Sequence, residues 1–231
     1  MADVLDVRVE SPTAHTLVLD VPDWSGHLAG QHIDVRLTAP DGYRAQRSYS
    51  IADAVDLTHP NRVEITVQVV PNGEVSTYLV EVGVPHDELE VRGPIGGYFV
   101  WRPEQVAPLF LIAGGSGFVP LRAMLRARCQ ADVRPPVHVL YAVRDPESVL
   151  YKQDLATPMD GVDIAYVYSR VTPPDWPRPA GRLTRDDLMV DGFGPGADVY
   201  VCGPSAFVES VADRLVKAGH AAEHVRTERF G

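Results

Sequence analysis

Four short stretches of this chain hold residue types whose spacing suits chemistry on a bound nucleotide. The first is Gly114-Gly115-Ser116-Gly117-Phe118-Val119-Pro120, which follows an apolar run and precedes an amphipathic one. Glycines let the backbone approach an anion, and the free N–H groups and positive dipole end of a following helix point at it. A nucleotide pyrophosphate would lie there. Pro120 stands where the dinucleotide fingerprint has a third glycine, and the same residues would also serve a plain strand-to-helix turn.

The second stretch is Arg47-Ser48-Tyr49-Ser50-Ile51. An arginine, an aromatic and a hydroxyl this close together offer a charge for phosphate, a face for a planar ring and a hydrogen bond for its edge. A strand with a polar outer face would read the same way. Third, Gly73-Glu74-Val75-Ser76-Thr77 is a turn entering a short helix, either a second phosphate cradle or ordinary capping. Fourth, Cys202-Gly203-Pro204 ends an apolar run where open α/β sheets place ligands, although a cysteine there also suits simple packing.

Two kinds of element must position these residues. Up to about Trp101, apolar residues alternate in Val7-Val9, Leu17-Leu19-Val21, Ile33-Val35-Leu37 and Ile65-Val67-Val69, which is the period of strands. Asp41-Gly42, Pro71-Asn72-Gly73 and Gly93-Pro94 stand at the joints, and Ser76 to Val82 before Gly83 carries the marks of a short helix. Residues 1–102 therefore read as all-β, a barrel or a sandwich. From Leu109 the runs become continuously apolar and alternate with helical ones, as in a buried parallel sheet with crossover helices. Strands are expected at 109–113, 137–143, 163–169, 198–202 and 224–230. Helices are expected after Pro120 and across Val208, Val211, Ala212 and Leu215. Residues 103–231 therefore read as an α/β domain, with the proline-rich stretch Arg170 to Arg182 as a surface loop.

The 231 residues carry 21 Lys and Arg against 31 Asp and Glu, a net −10 that repels phosphate backbones and anionic lipid. Nucleic acid and membrane surfaces are excluded as partners, and cationic partners are favoured. No basic, apolar signal segment opens the chain, and the apolar stretch from Ala107 to Leu121 is too short to span a bilayer, so a cytoplasmic location is expected. Two cysteines, Cys129 and Cys202, are too few for a four-thiolate iron–sulfur cluster, so no metal centre is expected on this chain.

Taken in order, these segments resemble the ferredoxin–NADP reductase family, in which an antiparallel FAD-binding barrel precedes a pyridine-nucleotide domain. The resemblance rests on Arg-x-Tyr-Ser at 47, 49 and 50, Gly-x-x-Ser-Thr at 73, 76 and 77, and Gly93-Pro94. It continues through the glycine loop from 114 to 120, Cys-Gly-Pro from 202 and the terminal Glu228-Arg229-Phe230. Gln31 and His32 after Ala29-Gly30 are similar to the family's Pro-Gly-Gln segment, with Ala29 in place of proline. The resemblance implies that Arg47 pairs with the FAD pyrophosphate, Tyr49 lies on the isoalloxazine and Ser50 bonds its N5 edge. It also implies that Ser76 and Thr77 hold phosphate, that Gly115, Ser116 and Gly117 cradle the nicotinamide cofactor, and that Cys202 borders the nicotinamide, with Tyr49, Ser50 and Cys202 at the reacting atoms. Ser48, Gly73, Val75, Gly114, Pro120, Gly203, Pro204 and Phe230 complete the implied cofactor contacts. Hydride would pass from NAD(P)H to flavin in a dry cleft between the two halves.

Ser169-Arg170, at the end of the third parallel strand, resembles the family's reader of the adenosine 2′-phosphate, which favours NADPH and leaves NADH possible. Asp145 after the second strand would suggest NADH only by analogy with ribose-binding acids of other folds. With no fused iron–sulfur segment in the sequence, the electron acceptor is expected on another molecule: a ferredoxin, a Rieske-type or haem oxygenase component, free flavin or a dye. Two other readings use nearly the same scaffold: a reductase that takes flavin as a dissociable substrate, and a redox-sensing or electron-delivering subunit of a larger complex.

Overall fold

A computed structural model describes residues Met1–Phe230 and divides the chain into two compact units, one built mainly on Met1–Arg102 and the other on the chain from Pro103 onward. The first unit holds β1 (Ala2–Ser11), β2 (Ala14–Asp20), β3 (His32–Thr38), β4 (Arg44–Ser50), β5 (Arg62–Gln68), α1 (Glu74–Thr77), which a π-helical turn over Tyr78–Val82 continues, and β6 (Glu88–Ile95). Its antiparallel sheet has the order β4-β3-β6-β1-β2-β5, and a bridge from Ile51 to Ile65 joins the chain beyond β4 to β5, closing the barrel. Period-two alternation sends Leu17 and Leu19 of β2, Ile33 and Val35 of β3, and Val63 and Ile65 of β5 into one core. Each such side chain contributes about 1.5–3 kcal/mol on burial. Val75 and Leu79 bring the helical turn onto the same core.

Two sequence expectations change here. Gly93-Pro94 is not a joint but lies inside β6, where its peptide is cis and the register with β3 shifts between His32 and Asp34. The helical stretch begins at Glu74, two residues before Ser76, because Val75 is drawn into the core and Gly73 supplies the N-cap.

The second unit holds β7 (Leu109–Gly114), a 3-10 turn over Gly115–Gly117, α2 (Phe118–Gln130), β8 (Val137–Val143), α3 (Lys152–Ala156), β9 (Val162–Tyr168), β10 (Asp198–Pro204), α4 (Ser205–Lys217) and β11 (Val225–Phe230). The five strands are all parallel in the order β11-β10-β7-β8-β9. Every residue of β7 is buried, as a central strand covered on both faces requires. Val208, Val211 and Leu215 of α4 pack with Phe110, Ile112, Val199 and Val201 of the sheet. Only α3 escapes the sequence pattern. No helix among the described residues is long and apolar enough to cross a membrane.

Candidate functional site

In the barrel, β4 runs beside β3 with Ile33 opposite Tyr49 and Val35 opposite Arg47, so Arg47 and Tyr49 share one face of the strand. Asp34 opposite Ser48 and His32 opposite Ser50 occupy the other face. The motif therefore splits: the charge and the ring stand together, and both serines point the other way. The Ser48 hydroxyl donates to Asp34 Oδ1 at 2.6 Å. Arg47 is exposed, and its Nη1 donates to the Gln46 carbonyl at 2.6 Å. Tyr49 is half-buried against the barrel core, and burial pushes its phenol up to about 12 against the opposing pull of the Arg47 charge. It stays neutral at physiological pH.

At the Gly73 turn the Ser76 hydroxyl is buried and spent locally, accepting from the Val70 N–H at 3.2 Å and donating to the Gly73 carbonyl at 3.3 Å. Ser76 thus builds the turn instead of presenting a hydroxyl to phosphate, and the Val75 side chain belongs to the core. Thr77 is half-buried, and its N–H donates to the Gly73 carbonyl at 3.0 Å. The Glu74 carboxylate is drawn aside to accept from the Tyr43 hydroxyl at 3.0 Å.

In the α/β unit the predicted residues gather at the carboxyl edge of the sheet. A Cβ on Gly117 would stand 2.1 Å from the Cys202 carbonyl oxygen, so only glycine lets the loop from 114 to 117 lie directly on Cys202-Gly203. Gly115 has φ +56 and open space where a Cβ would be, a cradle of exposed backbone at the end of β7. Pro120 is buried in the first turn of α2. Cys202, Gly203 and Pro204 pair in register with Glu228, Arg229 and Phe230, which brings the terminal motif beside Cys-Gly-Pro. The Cys202 thiol is fully buried, and burial together with the nearby Glu228 charge pushes it well up, so it remains protonated.

Ser169 and Arg170 extend the same edge. The Ser169 N–H donates to the Val143 carbonyl at 2.8 Å and the Arg170 N–H to the Arg144 carbonyl at 2.9 Å. Arg170 and Arg144 are both exposed, so two guanidinium-bearing residues leave adjacent strand ends. Sequence reasoning passed over Arg144, although its place directly after a buried parallel strand was a usable signal. It also passed over Phe207, whose ring stands where a Cβ on Gly114 would be, at 2.8 Å, and nothing in the local pattern announces that contact.

The arrangement fits dinucleotide cofactors in both units. The first offers an exposed cation and a neutral aromatic face on one strand; the second offers a bare backbone cradle at a strand-to-helix turn. Residues 3–100 match the oxidoreductase FAD-binding domain family, and residues 111–213 match the oxidoreductase NAD-binding domain family. The chain is 31% identical over 99% of its length to a ferredoxin–NADP reductase B of Sorangium cellulosum, covering 96% of that protein. It is 32% identical over 98% of its length to a 2-halobenzoate 1,2-dioxygenase electron transfer component of Burkholderia cepacia, of which it spans 64%. Among solved structures, the flavohem-like FAD/NAD-binding domain of a nitric oxide dioxygenase from Vibrio cholerae superposes with a TM-score of 0.86 at 25% identity, covering all of this chain and 98% of that one.

Proposed function

Since the chain belongs to the ferredoxin–NADP reductase family, we propose that it is an NAD(P)H-dependent FAD oxidoreductase that hands electrons singly to a separate acceptor protein. The observation that carries this reading is the gathering of the glycine loop, Cys202-Gly203-Pro204 and Phe230 at one sheet edge, in a chain whose barrel sets Arg47 and Tyr49 on one strand face. We assign residues 1–102 to FAD and residues 103–231 to the nicotinamide coenzyme. Bound FAD would supply the exchange between a two-electron donor and a one-electron acceptor.

The chain's own residues bind and orient. Arg47 offers a guanidinium to the flavin pyrophosphate, with Thr77 and the backbone of the Gly73 turn beside it. Tyr49 gives a neutral ring face. The backbone of Gly115, Ser116 and Gly117 receives the coenzyme pyrophosphate at the start of α2. Cys202, with its thiol protonated and buried, forms a neutral wall, and Phe230 helps to exclude water. Arg170, with Arg144 beside it, matches the dianionic 2′-phosphate and favours NADPH over NADH. The acceptor we favour is a ferredoxin or an oxygenase component, in keeping with the names of the two relatives.

Steady-state oxidation of NADPH and NADH by the purified chain, with ferricyanide as acceptor, tests this reading. Turnover with a higher kcat/KM for NADPH is expected. Failure to oxidise either coenzyme would remove the enzyme assignment, and a preference for NADH would remove the role given to Arg170.

A further inference from the structure

The ring of Phe207, in the first turn of α4, lies over the bare backbones of two glycines. A Cβ on Gly114, at the end of β7, would stand 2.8 Å from Phe207 Cδ1, and a Cβ on Gly203, near the end of β10, would stand 3.0 Å from the same atom. The two glycines lie against each other, since that second Cβ would also be 3.1 Å from the Gly114 Cα. One ring therefore fills the side-chain space of both positions and braces two neighbouring strand ends, as close packing transmits a fixed spacing.

Phe207 is not spent on the core. Val208, Val211 and Leu215 form the buried stripe of α4, whereas Phe207 stands about 100° round the helix from Val208 and is only half-buried, packing against that cluster from its rim. Its closest partners are instead the two turns that the coenzyme reading uses. Gly114 immediately precedes the backbone cradle Gly115–Gly117, and Gly203 immediately follows Cys202, the wall assigned to the nicotinamide. The charge contacts of that reading, the cradle N–H groups and the Arg170 guanidinium, are made by atoms other than this ring.

We propose that Phe207 is a positioning residue for hydride transfer: acting through Gly114 and Gly203, its ring sets the spacing between the cradle and the Cys202 wall, and so the place where the nicotinamide rests. The proposal rests on the coenzyme reading above and adds to it the side chain that holds the two turns in relation. The step concerned moves one hydride, two electrons with one proton, from the nicotinamide to the flavin and leaves the coenzyme oxidised. A misplacement of about 1 Å at a reacting centre costs about a hundredfold in rate. Loss of the ring should therefore slow the transfer while the charge contacts keep the coenzyme bound.

The test compares wild type, Phe207→Ala and Phe207→Met as flavin-loaded, full-length protein. Three quantities are measured: the rate of flavin reduction at saturating NADPH without oxygen, the affinity for NADP+ by calorimetry, and backbone amide exchange by mass spectrometry. Phe207→Ala should slow reduction by at least about tenfold while NADP+ affinity holds within about threefold. It should also speed amide exchange over residues 114–117 and 202–204. Methionine, a flexible apolar side chain that fills gaps, should restore most of the rate and the protection. An unchanged reduction rate, or unaltered exchange at both turns, would overturn the proposal and leave the functional reading standing. A loss of NADP+ affinity as large as the loss of rate, or a methionine variant no better than alanine, would also overturn it, since Phe207 would then serve general packing. A wild type whose flavin NADPH does not reduce would overturn the functional reading and this proposal with it.

Discussion

We propose Arg170 as the residue on which coenzyme choice turns. If its guanidinium meets the 2′-phosphate, Arg170→Ala should raise KM for NADPH by about one to two orders of magnitude, at about 1.4 kcal/mol per tenfold, and leave NADH nearly untouched. Paired kinetic titrations with both coenzymes check this, and equal losses for both would make Arg170 a loop-shaping residue. Tyr49 carries a pH signature of its own. Its phenol is raised from 10.0 to about 12 in the folded chain, so folding favours the protonated form. The resulting stability is complete below pH 10 and is lost as pH rises toward 12, amounting to about 3 kcal/mol. Urea unfolding across that window should show the decline in wild type and a shallower one in Tyr49→Phe. Charge, ring and bare backbone were legible in sequence, because residue type alone carries those properties. Ser48 and Ser76 were not: their hydroxyls are spent on Asp34, across a strand pair, and on Val70 and Gly73, within the turn. A hydroxyl's partner is decided by register and turn geometry, which residue type does not record.

At the level of elements, the 115–117 turn meets the end of β10 at the edge we propose for the nucleotide. Gly117→Ala places a methyl 2.1 Å from the Cys202 carbonyl, so the loop or the strand end must move. A loss of about 3 kcal/mol is expected, with NADPH affinity falling further than flavin content, measured by chemical denaturation and coenzyme titration. Flavin loss equal to coenzyme loss would show that the substitution unfolds the chain generally. Strands and helices of the second unit were readable to within a residue or two, since β8 is a continuous apolar run and α4 a strict helical stripe. By contrast, β6 was hidden: Leu89 and Val91 alternate with charged residues as a strand should, but Gly93-Pro94 reads locally as a break. Neighbouring strands on both sides hold it in the sheet, and that support is invisible to a local pattern. The five-residue α3 is too short for any periodicity to register.

For the whole molecule, a net charge of −10 should steer a basic acceptor protein and repel an acidic one. Reduction of a basic haem protein should therefore slow as salt rises, whereas reduction of ferricyanide, an anion, should quicken; rates that ignore ionic strength would remove charge from the account. The central claim is that this chain takes reducing equivalents from NADPH into a flavin it holds itself. The most direct measurement is to pass the purified protein through gel filtration, add one equivalent of NADPH without oxygen, and record the visible spectrum by rapid mixing. Flavin absorbance that survives the column and is then bleached by NADPH, faster than by NADH, is the predicted result. A protein that emerges with tightly bound flavin which neither coenzyme reduces would contradict the account.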